Sequence, residues 1–165
     1  MNESTDADGI WSEAVNALSC RLNMWSPWTF SDAVRDSDIR RWAIAVYWPD
    51  KPPRLYWNEF YANETKWCGI VAPQDFNPFT WSVSRGKVVN PRDATVGDRI
   101  MNGGQEDRFY APIRPGDIIR SRSRLIGWKV RTTKLGSSLI TYTEIEWRNE
   151  ADALVKIRLS TQIRY

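Results

Sequence analysis

A chain of 165 residues with 42% hydrophobic and 26% charged side chains has the size and composition of one globular domain. Its net charge of +3 does not by itself demand a nucleic acid, and no apolar run approaches the roughly 20 residues needed to span a bilayer. It contains no histidine at all, which excludes a Ser-His-Asp or Cys-His triad, a His-ligated zinc site and a proximal-His haem within the chain.

The polar, acidic start Met1-Asn2-Glu3-Ser4-Thr5-Asp6 is unlike a secretory signal or transit peptide, so the expectation is a cytoplasmic protein with a frayed tail over residues 1–9 and a single domain over 10–165. Ile10 to Leu22 places Trp11, Ala14, Val15, Leu18 and Leu22 at helical spacing. Cys20 and Cys68 lack metal or redox spacing and read as free thiols; no metal or cofactor is expected. After Pro27, Trp28 to Val34 reads as a strand. Asp36 or Ser37 can cap a helix Asp38 to Tyr47, with Ile39, Trp42, Ala43 and Val46 on its inner face.

The run Trp48-Pro49-Asp50-Lys51-Pro52-Pro53 must be a loop, followed by a short helix within Asn58 to Thr65. Phe76 to Val83 is apolar but interrupted by Pro78, and predicts a short or broken helix. From Arg99 the texture becomes β. Arg108 to Ile113 leads to the turn Arg114-Pro115-Gly116-Asp117, and Ile118 to Val130, Ser138 to Arg148 and Ala153 to Tyr165 read as strands. In the last of these Ala153, Val155, Ile157, Leu159 and Ile163 alternate with Lys156, Arg158, Ser160, Gln162 and Arg164, which predicts that the apolar row is covered and the polar row is not. Helices first and an antiparallel sheet after them make an α+β domain with its helices on one face.

Eight of the ten tryptophans fall between Trp11 and Trp81, giving the first half large surfaces for a core, a pocket or a partner. Between Arg108 and Lys134 there are eight basic residues against one acid, Asp117, and Arg120, Arg122 and Arg124 repeat at period two. Such a stripe suits phosphates or an acidic carrier, and equally a solvated sheet face. Asn102-Gly103-Gly104 permits either close backbone approach to a ligand or a β-bulge.

Three stretches, Asp38-Ile39-Arg40-Arg41-Trp42-Ala43, Gly69-Ile70-Val71-Ala72-Pro73, and Asn102-Gly103-Gly104-Gln105-Glu106 leading to Pro112-Ile113-Arg114-Pro115-Gly116-Asp117, together resemble the MaoC-like dehydratase and (R)-specific enoyl-CoA hydratase superfamily. The closer likeness is to its N-terminal, fatty-acid-synthase-type (FAS1-like) dehydratase subgroup, over roughly residues 26–165. The resemblance implies a single hot-dog domain, an antiparallel sheet wrapped around a central helix that here is short or broken. It implies dimers that build acyl-thioester sites at their interface, and reversible hydration of a trans-2-enoyl thioester on coenzyme A or acyl carrier protein. Catalytic members use an Asp and a His on one loop.

Counting back from Ala62 through Asn58 puts Tyr56 where that His would stand, with Asp50 as a vestigial acid. The resemblance therefore implies a non-catalytic subunit of an enoyl-CoA hydratase or dehydratase (a lyase of lipid metabolism), whose dyad comes from a hot-dog partner in a heterodimer or heterotetramer. A short or broken central helix would leave room for a bulky acyl group such as a steroid side chain, with fatty, mycolic-like and aromatic groups equally open, and neither nucleic acid nor membrane is expected as partner. Tyr56, Trp57, Asn102, Gly103 and Gly104 are the candidate substrate-binding residues, and Arg120, Arg122 and Arg124 the candidate contacts to coenzyme A or the carrier. The alternatives are a thioesterase using Asp50 or Glu59, and an acyl-thioester binding module without chemistry.

Overall fold

The computed structural model describes residues 9–80, 99–134 and 136–165. The expected acidic tail, apart from Gly9, and the Trp81–Val83 end of the expected broken helix lie outside them. Helix α1 (Ser12–Ser19), a two-residue strand β1 (Thr29–Phe30), helix α2 (Asp36–Tyr47), a 3-10 turn (Arg54–Tyr56) and helix α3 (Glu59–Asn63) precede four long strands: β2 (Ile100–Phe109), β3 (Arg120–Thr133), β4 (Gly136–Arg148) and β5 (Leu154–Arg164). These form one antiparallel sheet in the order β1-β3-β4-β5-β2.

Strand alternation and register divide the sheet into two faces. One carries Ser121, Trp128 and Val130 on β3, opposite Trp147, Thr141 and Leu139 on β4. Both helices that cover the sheet lie on this face. Trp11, at the start of α1, is buried with Trp128, Val130 and Leu139, and its indole donates to Ser137 Oγ at 3.0 Å. Ile39 of α2 is buried with Val34, Ala72, Phe76, Ile113, Ile119, Trp147 and Val155. The helices are thus segregated to one side of an antiparallel sheet, the arrangement of a single hot-dog α+β domain.

Local chemistry explains where elements depart from expectation. Helix α2 starts at Asp36 rather than Asp38, because Asp38 Oδ2 accepts the Arg35 N–H at 3.3 Å and so closes the first turn two residues earlier. Its inner face holds Ile39 and Ala43 with Trp42 half-buried, but Val46 is 47% exposed. The strand expected over Trp28 to Val34 shrinks to Thr29–Phe30: Ser31 N–H still donates to Ile119 O at 2.8 Å, but Ser31 Oγ, in place of its carbonyl, takes the Ile119 N–H at 3.0 Å.

Residues 76–80 form turns, not a helix. Asn77 Oδ1 accepts the Phe79 N–H at 3.1 Å and Asn77 O accepts the Thr80 N–H at 3.2 Å, while Pro78 has no amide hydrogen to give a helix. Phe76 nevertheless is buried, edge-on to Trp42 at 5.6 Å, and Phe79 meets Trp147 at 5.3 Å. This segment fills the space between α2 and the sheet.

The largest correction concerns β5. The register shifts between Trp147 and Arg148, so that Trp147 pairs with Lys156 and Arg148 with Leu154, leaving Val155 as the bulged residue. Beyond that bulge the row Lys156, Arg158, Ser160, Gln162 shares the helix-covered face with Trp147, Ile145, Thr143 and Thr141. The expected assignment is reversed: Ile157 and Leu159 lie on the other face, opposite Glu146 and Glu144.

Candidate functional site

The loop that carries Tyr56 is fixed by its own side chains. Its prolines deny it helical hydrogen bonds, and Trp57 Nε1 donates to Pro52 O at 3.0 Å with Lys51 over the Trp57 ring. Asn58 then caps α3 by accepting the Tyr61 N–H at 2.9 Å. Between these two anchors the 3-10 turn directs Leu55 and Tyr56 into a cavity of about 220 Å³. Trp67, Phe109, Tyr110 and Trp147 supply aromatic walls, and the buried Ala72-Pro73 and Ile113 supply aliphatic ones.

Tyr56 is held as a neutral phenol. Burial, then a hydrogen bond with the Tyr47 side chain, then the charge of Asp75 push its pKa up to about 12. The two rings lie 6.0 Å apart. A phenol of that kind does not deprotonate water near neutral pH. Asp50 is exposed, in the turn where its N–H donates to Tyr47 O at 2.7 Å, and does not line the cavity. Glu59 is exposed on α3 and does not line it either. Trp57 stays in its loop.

Asn102, Gly103 and Gly104 are elsewhere. They form a bulge in β2, where Asn102 Oδ1 accepts the Gly104 N–H at 2.9 Å. A Cβ on Gly103 would come within 2.8 Å of Thr161 Cγ2, so glycine lets β2 close onto β5. The bulge is five residues from Phe109, about 17 Å along the strand at ~3.4 Å per residue. Within one chain, then, Tyr56 and this bulge do not converge.

The arginine stripe is paired internally. Arg120, Arg122 and Arg124 stand on the sheet face away from the helices, opposite Arg148, Glu146 and Glu144. Arg124 meets Glu144 at 2.8 Å, Arg122 meets Glu146 at 3.2 Å, and Arg120 bonds Asp152. Trp28 stacks on Arg120 and Arg122, and Trp25 on Arg122 and Arg124, at 4.2–4.6 Å. Burial alone would raise the Glu146 carboxyl, but hydrogen bonds from Arg148 and Arg122 outweigh it and hold the pKa below the usual value. Arg124 alone of the three also lines a second cavity, of about 540 Å³, beside Leu18, Arg21, Met24, Gln162 and Arg164.

The cavity holds one further polar residue that strand alternation does not point to. Lys156 lines the Tyr56 cavity with only 2% of its surface exposed. Its Nζ lies 3.4 Å from the Trp147 ring centroid and 5.9 Å from that of Phe109. Burial foremost, with the charge of Arg158 second, lowers its pKa to about 8. Polarity-based alternation put this lysine on a solvent face, and only the bulge at Val155 could have signalled otherwise.

The model of the FAS1-like dehydratase domain region matches residues 24–158. Among solved structures, the ChsH1-ChsH2 complex from Mycobacterium tuberculosis is similar with a TM-score of 0.74 at 18% identity, covering 93% of this chain and 95% of the other. The C-terminally truncated HadBC (3R-hydroxyacyl-ACP dehydratase) complex from the same organism gives 0.59 at 21% identity, covering 87% and 96%. A MaoC-like dehydratase from Rhodospirillum rubrum gives 0.58 at 15% identity, covering 84% and 90%. No curated protein matches significantly.

Proposed function

The chain belongs to the FAS1-like dehydratase domain family, and from that premise we propose that it is the substrate-binding, non-catalytic subunit of a heteromeric enoyl-thioester hydratase or dehydratase. The observation that carries this reading is the Tyr56 cavity, an apolar pocket with a neutral phenol where the base belongs and no carboxylate lining it among the described residues. In the hydration direction the oxygen of water bonds to the β-carbon of a trans-2-enoyl thioester and a proton reaches the α-carbon. Both transfers need an acid or base positioned on the reacting carbons, and Lys156, the cavity group whose pKa is lowered to about 8, is instead held against the Trp147 ring. The Asp/His dyad of a hot-dog partner supplies that acid and base.

Two features support assembly with such a partner. Strand β2 pairs with β5 on one side only, and its outer edge carries no strand among the described residues. A ten-residue exposed edge is a template for a second sheet. Two of the similar structures are complexes, ChsH1-ChsH2 and HadBC. Pairing along β2 would also bring the Asn102-Gly103-Gly104 bulge to the interface, where its backbone can meet a ligand shared with the partner. For the coenzyme A or carrier contact, Arg124 is favoured over Arg120 and Arg122, because it alone borders a cavity, together with Arg21 and Arg164. The aromatic walls suit a bulky acyl group, such as a steroid side chain. Nothing in the placement of Asp50 or Glu59 favours a thioesterase.

The test is an assay of a trans-2-enoyl-CoA, short and bulky, with this chain alone and with the dyad-bearing hot-dog protein that copurifies with it. Hydration by the pair at least about 10²-fold faster than by this chain alone is expected. Equal rates would overturn the proposal.

A further inference from the structure

A lysine buried in an apolar cavity is costly unless something answers its charge. The nearest carboxylate on the sheet, Asp107, is already held by Arg158 through two bonds of 2.7 and 2.6 Å. Asp75 is exposed on the turn beyond Pro73 and acts on Lys156 only through its field, as Arg158 does with opposite sign. Tyr56, from the 3-10 turn, faces the cavity as a neutral phenol. What remains against the ammonium is the Trp147 face at 3.4 Å and the Phe109 ring. A cation–π contact offsets part of the desolvation, and no side chain among the described residues accepts a hydrogen bond from the ammonium.

From this geometry we infer that Lys156 is a specificity residue: the cavity takes an apolar, ring-sized group ending in a carboxylate, and the Lys156 ammonium receives that carboxylate. The inference rests on reading the cavity as the acyl-binding half of the site, and it names what the acyl group carries at the end remote from its thioester. A carboxylate is favoured over a phosphate because a single cation with aromatic walls balances one negative charge, not two. It is favoured over a neutral carbonyl because an ammonium answered only by aromatic rings and by the fields of Asp107 and Asp75 gains most from a direct anion contact.

The test uses the full chain and two probes of equal shape, 2-naphthoate and 2-naphthalenemethanol, in isothermal titration at pH 7. The carboxylate should bind at least about tenfold tighter than the alcohol. Lys156→Met should reduce that preference to within about twofold while alcohol binding persists, which also reports an intact cavity. Independently of any variant, the wild-type preference should fall as pH rises through 8 and above, because the carboxylate binds the ammonium form and the alcohol is indifferent. Equal binding of the two probes, or a preference that survives Lys156→Met or stays flat with pH, would overturn the inference and leave the acyl pocket standing. Failure of both probes to bind would remove the acyl pocket itself and the inference with it.

Discussion

Replacing Glu146 with alanine is expected to destabilise the folded chain by about 3 kcal/mol, the lower end of the range for removing one member of a buried ionic group. Glu146 accepts from both Arg122 and Arg148, with its side chain only 9% exposed. Removing it leaves two guanidiniums facing each other on the sheet, one of them Arg122, whose Nε is already buried without a partner. The cost stays at the lower end because both arginines keep some access to water. Glu106→Ala, by contrast, breaks the exposed Glu106–Arg108 pair and should cost well under 1 kcal/mol.

Urea denaturation across pH separates these effects. The folded-state pKa of Glu146 is depressed, so its contribution is fully present above the unfolded-state value near ~4.3 and is lost as pH falls through the folded value. The gap between wild type and Glu146→Ala should therefore be constant from pH 6 to 8 and shrink below about pH 4. A gap that grows on acidification would contradict the assignment.

Phe76→Ala should be the most damaging apolar truncation in the irregular half of the molecule, at about 3–5 kcal/mol. Phe76 is 1% exposed and packs edge-on to Trp42 within the cluster that joins α2 to the sheet. Because residues 76–80 have no helix to hold them, the segment is tied down by its side chains, Phe76 the most deeply buried aromatic among them. For a domain of this size such a loss lowers Tm by roughly 6–20 °C. Phe60, 88% exposed on α3, serves as the control, and Phe60→Ala should leave Tm nearly unchanged. Comparable shifts for the two variants would mean that the Phe76 cluster is not the core.

The sequence made some of this legible because its signals were local. Helix α2 has an apolar stripe, and the turn at Arg114–Asp117 has Pro, Gly and an Asp whose Oδ2 accepts the Arg114 N–H at 2.8 Å. The order of helices before strands was enough for the fold class. What failed was long-range. Period-two reading assumes that the apolar row of a strand faces the core, and β5 breaks that assumption at Val155. The bulge is set by pairing with Arg148 across the sheet, which no window of β5 alone contains. Hence alternation places Lys156 in solvent, whereas it is buried in the candidate site.

The arginine stripe taught a similar lesson. Its period was legible, but its carboxylate partners are 20 or more residues away on β4 and in the turn after it. Tyr56 was located only through the family resemblance. Nothing in the composition of a Pro-rich loop says that a tyrosine in it will turn inward, and it does so because Trp57 and Asn58 lock the chain on the far side.

The most direct test of the proposed shared site leaves this chain untouched. In the assembled complex the dyad histidine of the hot-dog partner is replaced by alanine, and hydration of the best enoyl-CoA is measured in both complexes. A loss of about 10²–10⁴-fold, with the complex and its acyl binding intact, is the predicted result. A rate that survives the substitution would place the working acid and base in this chain and contradict the account.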